Sequence, residues 1–434
     1  MKFNEMGLIA PILENLSGIG HITPTAIQAS AIPLLLQGND LLGIAQTGTG
    51  KTAAFSLPII QHLITNRKLT MSGAPRVLII APTRELCSQI KESLDTYGNN
   101  LNLKTAAIFG GVGQAEQVKN LKAGTDIVVA TPGRLLDLID QGQMRLGSLE
   151  IFVLDEADRM LDLGFSEELD KIIKNLPASK QTMLFSATMP KEIEGLARRL
   201  LKNPKLAQVA PTATTVEKVE QKIIFCKRDD KFQLLRKIIK EEEVELVIVF
   251  TKTKNSADKV KEYLLHHRIP AAVFHGDKDQ KDRERALRNF KAGSMKVLIA
   301  TDIAARGIDV EDVSHVINFE LPMEAESYVH RIGRTARAGK EGKAISFVDE
   351  AEKSILERIE KLIQLRLPTE KFKGNPEAKG IWLEAGAVRK VTAPTPGKSQ
   401  EKSAYIDHSK RQRVVEEGAP KPKPHPGFRS RKKR

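Results

Sequence analysis

The sequence predicts an α/β protein built from two tandem domains with parallel sheets, followed by a disordered basic tail. Three observations carry this reading. The 434 residues exceed the roughly 100–200 of one ordinary domain. Short apolar runs alternate with charged, amphipathic spans, as expected of strands covered on both faces by helices. A glycine-rich loop follows the first strongly apolar run and opens a helix, an arrangement suited to phosphate.

Taken in order, strands are expected over 41–45, 77–81, 127–131, 151–154 and 182–186 in the first half. The second half offers 222–225, 246–250, 271–274, 296–300, 315–319 and 344–348. These runs are short, rich in Ile, Val and Phe, and bounded by turn residues, which disfavours buried helix segments as the alternative. Residues 205–218 contain Pro211 and a Thr/Ala-rich patch without apolar periodicity, the composition of a linker. The domain limits follow as 1–207 and 218–367, with a linker at 208–217 and a tail from 368. A helix over 354–367, stopped by Pro368, should close the second domain. Beyond about residue 385 the chain is rich in Pro, Lys and Arg, which predicts disorder.

Composition excludes several classes. No apolar run approaches the roughly 18 residues of a membrane span. The patch 8–13 is broken by Pro11 and preceded by Glu5, which predicts no signal peptide. Two cysteines, Cys87 and Cys226, are too few for a disulfide framework or metal cluster and suit a reducing cytoplasm. The net charge of +14 is unevenly placed: residues 386–434 hold 14 Lys/Arg against 4 Asp/Glu. The rest of the chain is nearly balanced.

Ala45-Gln46-Thr47-Gly48-Thr49-Gly50-Lys51-Thr52 is the candidate phosphate loop. Its glycines let backbone N–H groups close around an anion, and the helix expected from about Lys51 adds a favourable dipole. Lys51 would reach the β- and γ-phosphates, and the Thr52 hydroxyl would ligate Mg²⁺. The first position is Ala45 where the usual pattern has glycine. A second acidic site comes from Asp155-Glu156-Ala157-Asp158, at the carboxyl end of an apolar strand where parallel sheets place ligands. Asp155 can hold Mg²⁺, directly or through water, and Glu156 can polarise an attacking water.

The second half contains no Gly-Lys-Ser/Thr of its own, so one nucleotide site per chain is expected. Its densest polar cluster is His330-Arg331-Ile332-Gly333-Arg334-Thr335-Ala336-Arg337. Arginines spaced by three on one helical face could project to the γ-phosphate. Alone, such a cluster is more often a basic patch facing RNA or phosphate; beside a single nucleotide site in a duplicated architecture, the finger reading is favoured.

Together these motifs resemble those of DEAD-box ATP-dependent RNA helicases of superfamily 2, over about residues 1–365. The resemblance implies two RecA-like domains around one ATP and Mg²⁺ site. Phe3 and the segment Gly20-His21-Ile22-Thr23-Pro24-Thr25-Ala26-Ile27-Gln28 are similar to the family's isolated aromatic and Q motif. They imply adenine reading by Phe3 stacking and a bidentate Gln28 amide, with Thr25 in support. His21 stands where an aromatic residue is usual. Pro82, Thr83, Arg84, Gly110, Gly111, Thr131, Pro132, Gly133 and Arg134 resemble the RNA-facing motifs of the first domain. Ser186-Ala187-Thr188 resembles the motif that couples hydrolysis to strand separation, through hydrogen bonds to Asp158.

In the second domain Thr251, Arg283 and Thr301 are implied RNA contacts, and Asp309 a ribose contact. His330, Arg334 and Arg337 are implied at the catalytic cleft. Ala336 replaces a frequent glycine, with little consequence expected. The RNA-facing loops offer amides, hydroxyls and guanidinium groups, chemistry for phosphate and sugar rather than for bases. With only 5% aromatic residues, base-stacking platforms are scarce. Backbone shape and the 2′-hydroxyl therefore favour RNA over DNA.

The activity implied is RNA-stimulated ATP hydrolysis with local, non-processive unwinding of short duplexes. An ATP-gated RNA clamp or scaffold uses the same closed state and stays open as the alternative. The basic tail suits nonspecific RNA attraction, or else solubilisation. The compact core and short tail look similar to bacterial RhlE-type helicases. The chain is expected to be a cytoplasmic monomer without membrane association. The RhlE likeness implies work in ribosome assembly or RNA turnover beside ribosomal or RNA-degradation proteins.

Overall fold

Two seven-stranded parallel sheets organise the chain, each with strand order 3-4-2-5-6-1-7 in its own numbering. The computed structural model describes residues 2–46, 48–209, 219–241, 244–305, 310, 313–336 and 342–372. The first sheet holds β1 (Leu41–Ile44), β2 (Val77–Ile80), β3 (Thr105–Ile108), β4 (Ile127–Ala130), β5 (Ile151–Leu154), β6 (Gln181–Ser186) and β7 (Lys205–Gln208). The second holds β8 (Val219–Phe225), β9 (Val247–Thr251), β10 (Ala271–Phe274), β11 (Val297–Thr301), β12 (His315–Asn318), β13 (Gly342–Val348) and β14 (Thr369–Lys371).

The central strands β2, β4, β5, β9, β11 and β12 are buried at every position. Helices cover both faces, so these strands need apolar side chains on both. Each sheet accordingly has two apolar cores, one per face. Gly43 shows how tightly one face is filled. A Cβ there would overlap the Phe185 ring, which packs on Phe55 with centroids 5.5 Å apart.

Three strands escape the sequence reading. β3 is Thr-Ala-Ala-Ile, with only two fully buried positions. β7 lies inside the span 205–218 that reads as linker; only Ala207 points inward, so no apolar run marks it. β14 lies inside the expected tail, fully outside the core yet paired to β8. The closing helix runs Lys353–Ile363, not to 367, and Pro368 does not stop it. Gln364 adopts a left-handed conformation there, and the Glu360 carboxylate accepts from the Leu367 N–H. The expected linker residues 210–217 and the basic tail lie outside the described residues. None of the helices among the described residues is long and apolar enough to cross a membrane.

Parallel strands send all their carboxyl ends to one side of each sheet, and the loops there carry nearly every predicted site residue.

Candidate functional site

β1 delivers the chain to the phosphate loop. Ala45 is buried and its N–H donates to the Ser186 carbonyl at 3.0 Å, so this position needs no glycine. Gly48 and Gly50 do, with φ of 78° and 91°. Gly50 precedes the helix Lys51–Thr65, which starts where expected. A Cβ on Gly50 would strike the Gln28 amide. Thr49 Oγ1 donates to the Gln46 carbonyl at 2.7 Å, closing the loop on itself. Thr47 lies outside the described residues.

Lys51 is buried at 6% exposure, and among the described residues its Nζ meets no hydrogen-bond partner. A desolvated ammonium is costly unless an anion meets it. Thr52, Asp155 and Glu156 line the same cavity, of about 350 Å³, together with Arg334 of the second domain. A phosphate chain and a divalent cation fit this donor set: one orphan cation, one hydroxyl and two carboxylates.

Asp155 follows β5, and its Oδ1 accepts from the Glu156 N–H at 3.0 Å. Burial pushes its carboxyl up to about 6; Lys51 opposes this and Glu156 adds to it. Glu156 is buried too, which by itself would raise its carboxyl, yet Arg159 and Lys51 hold it below the ordinary range. Arg159 Nη1 donates to Glu156 Oε2 at 2.8 Å. Glu156 also carries a left-handed backbone, φ 52° and ψ 52°, a conformation that costs a non-glycine residue about 1–3 kcal/mol. The turn aims an ionised carboxylate at the cavity. Arg159, its clamp, is not singled out by the sequence reading; its signal is a cation three residues on within a helix.

Asp158 serves the next strand end. Its Oδ2 accepts from Ala187 N at 3.1 Å, Thr188 N at 2.8 Å and Thr188 Oγ1 at 2.8 Å, the bonds the resemblance implied. Ser186 is fully buried and its Oγ has no partner among the described residues.

The Q-motif residues are placed less simply. Gln28 Oε1 accepts from Thr25 N at 2.9 Å, and its Nε2 donates to the Gly50 carbonyl at 3.1 Å. The amide thus ties the helix Ala26–Leu36 to the phosphate loop. Phe3 is buried in the first-domain core, and His21 lies beside Tyr97, ring centroids 6.0 Å apart.

In the second domain the arginines do not share one helical face. The helix Ala325–Ile332 caps at Gly333, before Arg334. Arg331 points inward, bonding Asp302, Asn318 and the Glu320 carbonyl, with its guanidinium 5.0 Å from the Phe250 ring centroid. Arg334, 5% exposed, instead reaches the interdomain space. It lines a cavity of about 390 Å³ with Lys51, Glu156, Asp158, Thr188 and His330. Arg337 and Asp309 lie outside the described residues.

Ala336 has a φ of 56°, a left-handed backbone that favours glycine, whereas the expectation of little consequence weighed only side-chain contacts. We expect Ala336→Gly to raise stability by about 0.5–1 kcal/mol, since relief of strain exceeds the added unfolded-state entropy. An unchanged urea midpoint would contradict this.

The RNA candidates lie at the carboxyl ends of β2, β3, β4, β9, β10 and β11 or in the loops and helices that follow them. Thr83 caps the helix Arg84–Tyr97, its Oγ1 accepting from Leu86 N at 3.3 Å; Pro82 before it is buried. Arg84 lies against Gly110 and Gly111, and a Cβ on Gly111 would overlap its guanidinium. Thr131 and Pro132 open the helix Pro132–Asp140, where Gly133 is exposed. Arg134 Nη1 is buried with no hydrogen-bond partner among the described residues. Thr251 is fully buried, its hydroxyl donating to the Thr253 carbonyl at 3.3 Å, and Thr301 is nearly so. Arg283 pairs across the domains with Glu85, Nη2 to Oε1 at 2.9 Å, and Gln280 donates to the same oxygen at 3.3 Å. Glu85 stands in the motif 82–86 that resembles an RNA-facing one, but its bridge to Arg283 is not legible in the sequence.

With this geometry in place, the comparisons are consistent. The family model for DEAD/DEAH box helicase matches residues 25–196, and that for the helicase conserved C-terminal domain matches 230–339. The chain is similar to DEAD-box ATP-dependent RNA helicase CshA of Streptococcus pneumoniae, 44% identical over 85% of this chain and 69% of that protein. It is similar to ATP-dependent RNA helicase DeaD of Escherichia coli, 43% identical over 84% of this chain and 58% of that protein. Among solved structures, S. cerevisiae Dbp5 bound to RNA and ADP BeF3 matches with TM-score 0.76 at 33% identity, covering 85% of this chain and 95% of that one.

Proposed function

The chain belongs to the DEAD/DEAH box helicase family and is an ATP-dependent RNA helicase, and we propose that it opens short RNA duplexes locally, without processive travel. Joint closure of its two domains by ATP and RNA would drive this. The observation that carries the reading is the shared cavity. A buried Lys51 ammonium without a hydrogen-bond partner among the described residues, an ionised Glu156 and Arg334 of the other domain line one space. Catalysis there needs the second domain in place, so ligands that favour closure favour hydrolysis.

Thr52 and Asp155 would hold Mg²⁺, which when bound neutralises charge on the phosphate oxygens. Lys51 binds and orients the phosphates. Glu156 positions the attacking water and takes up its proton, while Asp158 holds the Ser186–Thr188 segment in register with the strand ends. In the RNA groove Arg134, with a buried Nη1 that lacks a partner among the described residues, is poised for a phosphate. Recognition through backbone and 2′-hydroxyl leaves little base specificity. The same reading assigns the first sheet, through β7 to Gln208, to the ATP-binding domain and the second sheet, through β14 and so past the expected limit of 367, to the second domain. It gives the chain an RhlE-type role in ribosome assembly or RNA turnover, as a cytoplasmic monomer.

Linkage supplies the test. ATP should tighten RNA binding by the same factor by which RNA tightens ATP binding, typically about 5–150-fold. Titrations of each ligand, with and without a non-hydrolysable form of the other, measure both factors. Independent binding would remove joint closure from the mechanism.

The tail adds a separable term. Deleting residues 386–434, which carry 14 Lys/Arg against 4 Asp/Glu, should weaken RNA affinity and flatten its salt dependence. RNA-saturated turnover should be retained. Unchanged affinity at low salt would leave solubilisation as the tail's role.

A further inference from the structure

The shared strand order of the two sheets gives every first-domain strand a counterpart. β8 stands where β1 does, β13 where β6 does and β14 where β7 does. In the first domain the carboxyl ends of β1 and β6 bear the phosphate loop and the Ser186–Thr188 segment. In the second, the ends of β8 and β13 open on a groove of about 780 Å³ that the hydrolysis machinery does not use.

The correspondence extends to one side chain. Lys231 begins the helix after β8 as Lys51 begins the helix after β1. What meets the two ammonium groups differs. Lys51 Nζ has no hydrogen-bond partner among the described residues, whereas Lys231 Nζ meets Glu352 Oε2 at 2.5 Å and Asp349 Oδ2 at 3.5 Å. The loop between, residues 226–230, contains no glycine, so no cradle of N–H groups forms there. A triphosphate would find its cation already neutralised and two carboxylates against it. The base of the groove beside Lys231 therefore does not suit a triphosphate.

Other chemistry remains. Phe225 and Phe372 are half-buried in its wall. Lys227, Arg228 and Lys371 are exposed around it, with no ion pair or side-chain hydrogen bond seen for them among the described residues, whereas the carboxylates of the same lining, Asp349 and Glu350, are paired to Lys231 and Lys353. The described chain ends at this wall: Phe372 N donates to the Phe225 carbonyl at 2.8 Å. The strongly basic residues 386–434 follow in sequence.

We propose that this groove is an accessory site for a short single-stranded segment of the RNA substrate. A base stacks on the phenylalanine faces, and its phosphates lie on Lys227, Arg228 and Lys371. An acidic protein segment would satisfy the cations but has no need of the half-buried aromatic rings in the wall. A basic chain continuing from the groove also favours a long polyanion. The site depends on RNA being the substrate and not on the catalytic cleft.

The test uses the full chain carrying K227A, R228A and K371A, with a fluorescent oligouridylate and no nucleotide. Affinity at low salt should fall about tenfold, and the salt slope should flatten by about 2, near 0.7 for each phosphate no longer neutralised. RNA-saturated ATP turnover should be unchanged. On the unaltered protein, a 4-thiouridine RNA should photocrosslink to the peptide containing Phe372. Unchanged affinity and slope, with no crosslink, would overturn the proposal and leave an acidic protein segment as the occupant. Loss of RNA-saturated turnover would also overturn it, by placing these residues in the catalytic cleft.

Discussion

Glu156→Gln is expected to bind ATP and RNA yet to lose about 10²–10⁴-fold in turnover, the usual worth of general base catalysis. The substitution keeps side-chain volume and the left-handed turn, and its amide oxygen can still accept from Arg159 Nη1, which lies 2.8 Å from the native carboxylate. What it removes is charge and proton affinity. In the native protein burial would neutralise this carboxyl, and Arg159 and Lys51 prevent that. The base is thus ready at neutral pH without titrating. Single-turnover hydrolysis with saturating RNA, beside equilibrium binding of both ligands, checks the prediction. Normal turnover in the variant would remove Glu156 from the chemistry, whereas lost binding would make its role architectural.

Much of this was legible because parallel sheets put chemistry at strand ends. Four apolar residues ending in Asp155-Glu156 announce both a buried strand and an acidic site, as does a glycine loop after Leu41–Ile44. The signal fails where burial is slight. β7 and β14 are edge strands that place one residue or none fully in the core, so hydrophobicity cannot mark them. It fails again where the partner is distant in sequence. Glu85 and Arg283 are far apart along the chain and meet only because two domains pack together. Arginine spacing misled for a related reason. Period three suggests one helical face, but Gly333 ends the helix between Arg331 and Arg334. One arginine turns into the core and the other into the cleft. Conformation can also hide in a residue's identity: alanine does not announce a φ of 56° at position 336, and only the glycine it replaces in the resembling family hints at it.

That division of the arginines leads to the second large effect. Arg334→Lys should reduce RNA-stimulated turnover about 10³–10⁵-fold, the range associated with an arginine finger. ATP binding without RNA should change little. Lysine retains the charge but loses the planar fork that can meet two phosphate oxygens at once. It also cannot fill the same buried space, for Arg334 is only 5% exposed. The position suits a group that acts late. Arg334 is carried on the second domain, while Lys51, Thr52 and Asp155 of the first line the cavity it enters. The first domain can therefore hold the phosphates by itself, and Arg334 adds stabilisation only when the domains meet. Arg331→Lys provides the contrast. Its guanidinium bonds Asp302, Asn318 and the Glu320 carbonyl, so its loss should lower the melting temperature of the second domain as well as activity. If Arg334→Lys lowers the melting temperature and leaves turnover intact, the finger role fails. If it halts turnover in a protein of native stability, the second domain contributes directly to the transition state, and RNA can stimulate hydrolysis simply by holding that domain in place.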